Sequence, residues 1–98
     1  MNPIQNLNKA FDSRIRLGIM SALMVNEHIN FNDLKELLQI TDGNLASHIK
    51  ALEEMAYLTI EKSFIGKKTN TTYAATPLGT AAFKQHLAAL EQMISHSK

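Results

Sequence analysis

Hydrophobic residues recur at spacings of three and four along most of the chain, and this period predicts amphipathic helices. Ile15, Ile19 and Leu23 lie on one stripe of a helix predicted to end near Val25, and Asp12-Ser13 precedes it as a break or an N-cap. Its wide apolar face indicates a helix at the centre of the core or at a subunit interface. Shorter stripes mark the two ends of the chain. They comprise Ile4, Leu7 and Phe11 in a first segment predicted to be helical, and Phe83, Leu87, Leu90 and Ile94.

Two short helices joined by a brief turn are predicted in the middle of the chain. The first spans Asp33 to Leu38 with Asn32 as its N-cap. The second spans Asp42 to about Ala56 with Thr41 as its N-cap, and the carboxylate of Asp42 suits the positive end of its dipole. The residues expected to be buried are Leu34, Leu37, Leu38, Leu45, Ile49, Leu52 and Met55.

Three segments have the β-branched and partly alternating composition of strands instead of the helical period. Residues 29–31 predict a short strand. Residues 58–64 and 71–75 are predicted to pair as an antiparallel hairpin around the polar segment 65–70. Because this segment contains a glycine and two adjacent lysines, the predicted hairpin has a basic tip.

The length and composition bound the class of protein. A chain of 98 residues predicts one domain over residues 1–98. Such a domain buries only about 60–65% of the surface that its unfolded chain exposes, so a partner subunit would help to stabilise it. The absence of cysteine, of a secretory signal and of an apolar run long enough to span a membrane favours a cytoplasmic location. No group of side chains indicates a metal site, a cofactor site or a catalytic centre, so we expect no enzyme activity.

Charge is distributed unevenly along the chain, although the net charge is only +1. Residues 27–56 carry two lysines against six acidic residues, whereas residues 1–26 and 57–76 each carry three basic residues against one acidic residue. A net charge near zero gives weak support for nucleic-acid binding, for which a basic excess is expected. Attraction to phosphates must therefore come mainly from the first and third of these segments.

The second of the two central helices has an exposed side whose residue types suit contact with DNA bases. Asn44, Ser47, His48 and Lys50 are predicted to point away from its apolar stripe. Asparagine and lysine are common partners of adenine and guanine edges in the major groove. Thr41 and the N-terminus of the helix suit a phosphate oxygen.

Basic side chains outside that helix are candidates for phosphate contacts. Lys67 and Lys68 at the predicted hairpin tip can reach phosphates or the neighbouring minor groove. Arg14 and Arg16 either contact the DNA backbone or form salt bridges with nearby carboxylates. The candidate carboxylates are those of Asp12 and Glu27.

Several runs of residues are similar to one known family. They are residues 13–20, 31–38, 41–53, 57–58 and 76–79, together with Tyr73. With the order of helices and hairpin, they resemble the small MarR/ArsR-like winged helix-turn-helix transcriptional regulators over nearly the whole chain. Residues 41–48 are the most specific part of this resemblance. The chain departs from the metal-sensing branch of that group because it lacks the thiolate ligands which that branch commonly uses.

The resemblance implies a mainly α (α+β) fold, in which the helix over residues 42–56 contacts bases, the hairpin is the wing and terminal helices pair two subunits. It assigns base contacts to the exposed residues of that helix, and backbone or minor-groove contacts to wing residues 64–71. We therefore predict a sequence-specific regulator of transcription that binds double-stranded DNA as a homodimer, with a repressor favoured over an activator. Two recognition helices about 34–36 Å apart predict a pseudo-palindromic site.

Two other interpretations are left open by the sequence. A winged helix that serves as a protein-interaction module without contacting DNA is supported by the acidic middle segment and the near-zero net charge. An effector-gated sensor is compatible with DNA binding. Met20, Met24 and Met93 could line a pocket for an unknown small-molecule effector, although filling the core is the simpler role for methionine.

The last helix is predicted from Thr76-Pro77, a capping residue followed by a first-turn proline, to about Ser95. Its apolar stripe and that of the first segment either fold back on the core or form a dimer interface. Because a core of this size has limited room for both, we predict an interface built from the two ends of the chain. Its expected residues are Ile4, Leu7, Phe11, Phe83, Leu87, Leu90 and Ile94.

Overall fold

The computed structural model describes residues 3–95, and within them four α-helices pack against a three-stranded antiparallel sheet. The helices are α1 (Arg14–Val25), α2 (Phe31–Leu38), α3 (Asp42–Glu54) and α4 (Pro77–Ser95). The strands are β1 (Ile29–Asn30), β2 (Leu58–Ile65) and β3 (Lys68–Ala75), in the sheet order β1-β3-β2. A pair of helices followed by a long hairpin and a closing helix is a winged helix-turn-helix, so the predicted fold class is confirmed.

The first segment is not the single helix that its apolar spacing predicted. It forms two short 3-10 helices, Pro3–Asn6 and Lys9–Asp12, separated where Asn8 caps the second of them through a 2.9 Å hydrogen bond from the Ala10 N–H. Ser13 then caps α1 by accepting from the Arg16 N–H at 3.3 Å, which confirms the predicted start of that helix. The capping side chains divide the segment because each offers the backbone a partner outside a continuous helix.

Helix α2 begins two residues earlier than predicted, and its N-cap is Asn30 instead of Asn32. The Asn30 side chain accepts a 2.8 Å hydrogen bond from the Asp33 N–H, and Asn30 is held extended by pairing with Thr72 of β3. The strand predicted over residues 29–31 is therefore only Ile29–Asn30.

Only one narrow face of α2 reaches the core. Leu34 is completely buried, and Leu38 lies so close to α1 that a Cβ on Gly18 would come within 2.8 Å of its Cδ2. Leu37 flanks Leu34 on the side away from Leu38 and is 60% exposed, so the prediction that it is buried was wrong.

Helix α3 ends at Glu54, two residues before the predicted end. The chain leaves the helix through Ala56, whose φ of 62° is left-handed, and the Tyr57 N–H closes the turn on the Leu52 carbonyl at 3.0 Å. Met55 falls in this closing turn and is exposed, so it does not extend the buried stripe as predicted.

The hairpin is longer and its turn tighter than the composition predicted. Strands β2 and β3 pair in full register from Leu58↔Ala75 to Ile65↔Lys68, and only Gly66 and Lys67 form the turn. Gly66 has a φ of +66°, a conformation that favours glycine. Residues 61–69 are all exposed, so this part of the hairpin projects from the body of the domain.

Phe11 and Phe83 lie inside the subunit and do not present their side chains to a partner, which corrects their predicted place at a dimer interface. Each is 4% exposed, and their rings meet edge to face with centroids 5.3 Å apart. Phe11 also stacks on Tyr57 at 5.9 Å and contacts the buried ring of His86 at 5.1 Å. The physical reason is that four aromatic rings from three segments form one cluster, which fastens both ends of the chain to the core.

Helix α4 begins as predicted, with the Thr76 hydroxyl accepting a 2.9 Å hydrogen bond from the Gly79 N–H. The N-terminal segment is bound to this helix through His86, whose Nδ1 accepts a hydrogen bond from the Asn8 N–H at 3.0 Å. Beyond Phe83 one apolar strip of α4 stays exposed, and it consists of Leu87, Leu90 and Ile94. Within residues 3–95, no helix combines the length and the hydropathy needed to cross a membrane.

Candidate nucleic-acid interface

Three core anchors set the orientation of α3. Leu45 and Leu52 are completely buried and Ile49 is nearly so, which places them on one side of the helix. At 100° per residue, Ser47 and Lys50 lie on the opposite side. The structure leaves five residues of this outward surface exposed. They are Gly43, Asn44, Ala46, Ser47 and Lys50.

His48 does not lie on that outward surface, which corrects the predicted orientation of its side chain. It is half-buried on the flank of α3 nearest α1, and its Nδ1 lies 3.1 Å from a terminal nitrogen of the Arg16 guanidinium. Because a guanidinium can only donate, Nδ1 is the acceptor in this contact, which leaves Nε2 as the donor of the ring. An Nε2–H remains available as a donor at the edge of the α3 surface.

Arg16 links the N-terminal segment to α3. Its Nε donates a 2.6 Å hydrogen bond to the Ala10 carbonyl, while the guanidinium contacts His48. In the part of the chain that the structure describes, no carboxylate lies within salt-bridge distance of Arg14 or Arg16, so the alternative pairing with Asp12 or Glu27 is not formed. Arg14 is exposed at the first residue of α1.

The N-terminus of α3 is capped, and its acidic residue is paired with a lysine. Thr41 is exposed, and its hydroxyl accepts from the Asn44 N–H at 3.2 Å, which confirms the predicted cap. Asp42, the acidic residue of the first turn, forms a 2.8 Å salt bridge with Lys35 of α2. An exposed pair of this kind adds little stability, but it offsets the negative charge of Asp42 at this end of the helix.

The projecting hairpin carries more positive charge than the tip alone. Lys67 lies in the turn and Lys68 begins β3, and both are exposed as predicted. Lys62 is a further exposed lysine of this wing, which sequence reasoning did not single out. Its position could have indicated this role, because Lys62 is two residues from both Ile60 and Phe64 and alternate residues of a strand share a face.

A groove of about 390 Å³ separates α3 from the wing. The helix contributes Lys50 and Glu53 to its wall. The sheet contributes Lys62 and Tyr73, and burial raises the pKa of the Tyr73 hydroxyl above its usual value. The groove is also lined by Ala46, Ile49, Ile60 and Thr71. The exposed α3 surface, the groove and the wing form one continuous face with lysines on both sides.

Comparison with known proteins agrees with this geometry. A family model described as a winged helix DNA-binding domain matches residues 15–94. An uncharacterised protein of Methanocaldococcus jannaschii is 39% identical over 85 residues, which cover 87% of this chain and 92% of that protein. A transcriptional regulator homologue from Pyrococcus horikoshii has a solved structure that superposes with a TM-score of 0.79 at 29% identity, covering 97% of this chain and 96% of that one.

A more distant structure shows how widely the fold is shared. A protein assigned to the MarR family of transcriptional regulators, from Enterococcus faecalis, superposes with a TM-score of 0.78 at 18% identity. The superposition covers 90% of this chain and 79% of that protein. At this level of identity the likeness is one of fold, and it matches the architecture that the sequence predicted.

Proposed function

The chain belongs to the family of winged helix DNA-binding domains, and from this premise we propose that it is a single DNA-binding domain that regulates transcription as a homodimer. Helix α3 enters the major groove, which is about 12 Å wide and accepts an α-helix. Asn44, Ser47 and Lys50 contact base edges, and the Nε2–H of His48 contacts a base edge or a phosphate at the side of the same groove. Thr41 and Arg14 contact the DNA backbone, whereas Arg16 acts mainly by holding His48 in place.

The observation that carries this proposal is the composition of the outward side of α3. It combines two small residues, Gly43 and Ala46, with polar residues that suit base edges, and nothing in residues 3–95 covers it. A Cβ on Gly43 would meet no atom within 4 Å, so the helix backbone is open to close approach there. The wing then lies beside the groove, where its lysines can reach phosphates of the same duplex.

The homodimer is supported by the apolar surface at the ends of the chain. Leu87, Leu90 and Ile94 form one exposed strip of α4, and Ile4 is exposed on the 3-10 helix that packs against α4. Leu7 is half-buried at the same junction. Pairing two such surfaces would bury them and relate two α3 helices by a twofold axis, about one helical turn of DNA apart. A dimer that covers both half-sites excludes other proteins from that duplex, so we propose repression as its effect.

Selection of bound duplexes from a random DNA library, performed at stated salt concentrations, tests the proposal directly. We expect enrichment of a pseudo-palindrome whose half-sites are centred about 10–10.5 bp apart or a multiple of that spacing. Recovery of unenriched sequence, together with failure to retain duplex at low salt, would favour the protein-interaction module instead.

Asn44→Ala and Lys50→Ala are each expected to weaken binding to the selected duplex by about 1–3 kcal/mol and to relax base preference at one position per half-site. The physical reason is the loss of a bidentate contact to a base edge. Binding free energies measured on the selected duplex and on single-base variants of it provide the check. Gln92→Ala, an exposed change on α4, is the matched control and should leave both quantities unchanged. Equal weakening on every sequence would instead assign the residue to a phosphate contact.

Replacing Lys67 and Lys68 with alanine is expected to flatten the salt dependence of DNA binding. Removing one lysine–phosphate interaction should reduce the slope of log K against log salt by about 0.9. The slope is measured by titrating one duplex at several salt concentrations. Lys84→Ala, which removes an exposed lysine from α4, should not change it. A wing variant with the wild-type slope would show that these two lysines do not contact phosphates.

A further inference from the structure

We propose that Phe64 and Ile65 at the end of the wing enter the minor groove, partly unstack a base step and bend the duplex. The proposal rests on the proposed DNA-binding function and adds a deformation of the DNA to it. Such apolar wedges act by opening a base step towards the protein, and the bend then brings more of the duplex into contact.

The exposure of these two side chains is the first observation. Phe64 is 76% exposed and Ile65 is 68% exposed. Among the large apolar side chains of residues 3–95, only Val25 and Ile94 reach comparable exposure, and neither belongs to the wing. The projecting tip exposes an aromatic and a β-branched side chain to water at adjacent positions. Their exposure costs free energy unless a partner covers them.

The pairing register of the wing is the second observation. Phe64 lies on the face of β2 that carries Lys62 and Ile60, which line the groove beside α3. Ile65 lies on the opposite face and is paired with Lys68 across the hairpin. Each face of the tip therefore combines one apolar side chain with one lysine.

Charge complementarity identifies the partner as a nucleic-acid duplex. Between residues 61 and 68 the tip carries Lys62, Lys67 and Lys68 against the single carboxylate of Glu61. A second wing would bring three more lysines to the same place, so pairing of two wings through these tips is electrostatically unfavourable. Phosphates flank the minor groove on both sides, so a tip that places lysines beside apolar side chains matches it.

The dimensions of the wing also fit. At about 3.3 Å per residue, the exposed stretch of β2 from Glu61 to Ile65 extends roughly 16 Å from the body of the domain. The minor groove is about 6 Å wide and 7.5 Å deep, which admits side chains but not the two-stranded ribbon itself. With α3 in the major groove, the side chains that reach the floor of the neighbouring minor groove are those at the very end of the wing.

Ring closure of DNA tests the bend without knowledge of the preferred sequence. Mixed-sequence fragments of about 110 bp, shorter than the DNA persistence length of about 150 bp, close slowly when ligated alone. We expect the wild-type protein to accelerate closure, and Phe64→Ala to reduce that acceleration by about threefold or more and the affinity for the same fragments by about fivefold. Phe64→Leu, which keeps an apolar wedge, should retain most of both effects.

Two controls separate this proposal from its alternatives. Val25→Ala removes an equally exposed apolar side chain outside the wing, and it should close rings like the wild type. Because Phe64 is exposed, Phe64→Ala should also keep the wild-type thermal unfolding midpoint.

Three outcomes would contradict the proposal. If Phe64→Ala binds DNA and accelerates ring closure as well as the wild type does, the proposed wedge is wrong, whereas the proposed DNA binding is unaffected. If the wild type fails to bind duplex at low salt, both proposals fall. If Phe64→Ala changes sedimentation but not ring closure, the tip contacts protein instead.

Discussion

Substituting glutamate for both Leu87 and Leu90 is expected to convert the proposed homodimer to a monomer and to reduce the affinity for a two-half-site duplex by about 100-fold or more. The two leucines lie on one exposed strip of α4, so two carboxylates there would be buried unpaired in a symmetric interface. Once the subunits separate, each α3 binds one half-site alone and the gain from simultaneous binding, about 10²–10⁴ in affinity, disappears. Sedimentation equilibrium and a DNA titration on the selected duplex provide the measurements.

The matched control places the same two charges on the other side of the same helix. Ala88 and Gln92 are exposed there, so Ala88→Glu with Gln92→Glu should remain dimeric and bind DNA like the wild type. Truncation before Pro77 is a poorer test, because it also removes Phe83 from the core. A Leu87/Leu90 variant that sediments as a folded dimer would place the interface elsewhere. A monomeric variant with unchanged DNA affinity would show that dimerisation does not contribute to binding.

The elements that position the candidate interface could be predicted from sequence because their signals are local. Leu45, Ile49 and Leu52 define one stripe and Thr41 caps the same helix, so the outward side of α3 follows from period and cap together. The hairpin could be located in the same way, but the predicted turn was longer than the turn in the structure. The polar residues at the tip look like loop in composition, whereas in the structure all but Gly66 and Lys67 continue the strands.

The incorrect predictions at the two ends of the chain concern contacts between residues that are distant in sequence. Spacing alone places Phe11 and Phe83 on apolar stripes, but it does not show that their rings meet each other. The contact depends on Tyr57, which the end of α3 delivers to the same cluster, and on the bond between Asn8 and His86. Each of these partners is distant in sequence, so the apolar stripes could not distinguish the buried rings from the leucines that stay exposed.

The same limit applies to the site. Arg16 and His48 are separated by 32 positions, and only the packing of α1 against α3 brings the guanidinium to the imidazole. Considered separately, His48 was assigned a base contact, whereas Arg16 was assigned either a contact with the DNA backbone or a salt bridge. Considered together, they form a pair that orients one donor at the edge of the α3 surface. Lys62 was overlooked because a lone lysine in a strand is ordinary, and its significance depends on the groove beside it.

Gly79→Ala is expected to destabilise the domain by about 3 kcal/mol or more, enough to lower the unfolding midpoint by about 12 °C or more for a domain of this size. Gly79 lies in the first turn of α4, where its Cα packs directly on the chain that leaves α3. A Cβ added there would overlap the carbonyl oxygen of Tyr57 and lie 2.7 Å from the carbonyl carbon of the same residue. Both are backbone atoms, so rotation of a side chain cannot relieve the overlap.

The backbone at this contact is held in place by its own hydrogen bonds, which is why the expected loss is large. The Tyr57 carbonyl accepts from the Thr76 N–H at 3.0 Å, and the Thr76 hydroxyl donates to the Ala56 carbonyl at 2.6 Å. Moving this segment between α3 and β2 away from α4 would break these bonds and separate the aromatic cluster beneath them. Gly43→Ala is the matched control, since it makes the same change in the first turn of α3, where a Cβ meets no atom within 4 Å. Helix propensity predicts that the control gains stability, up to about 1 kcal/mol. Thermal and urea unfolding of both variants measure the difference, and equal stabilities would show that α4 does not dock on Tyr57 as described.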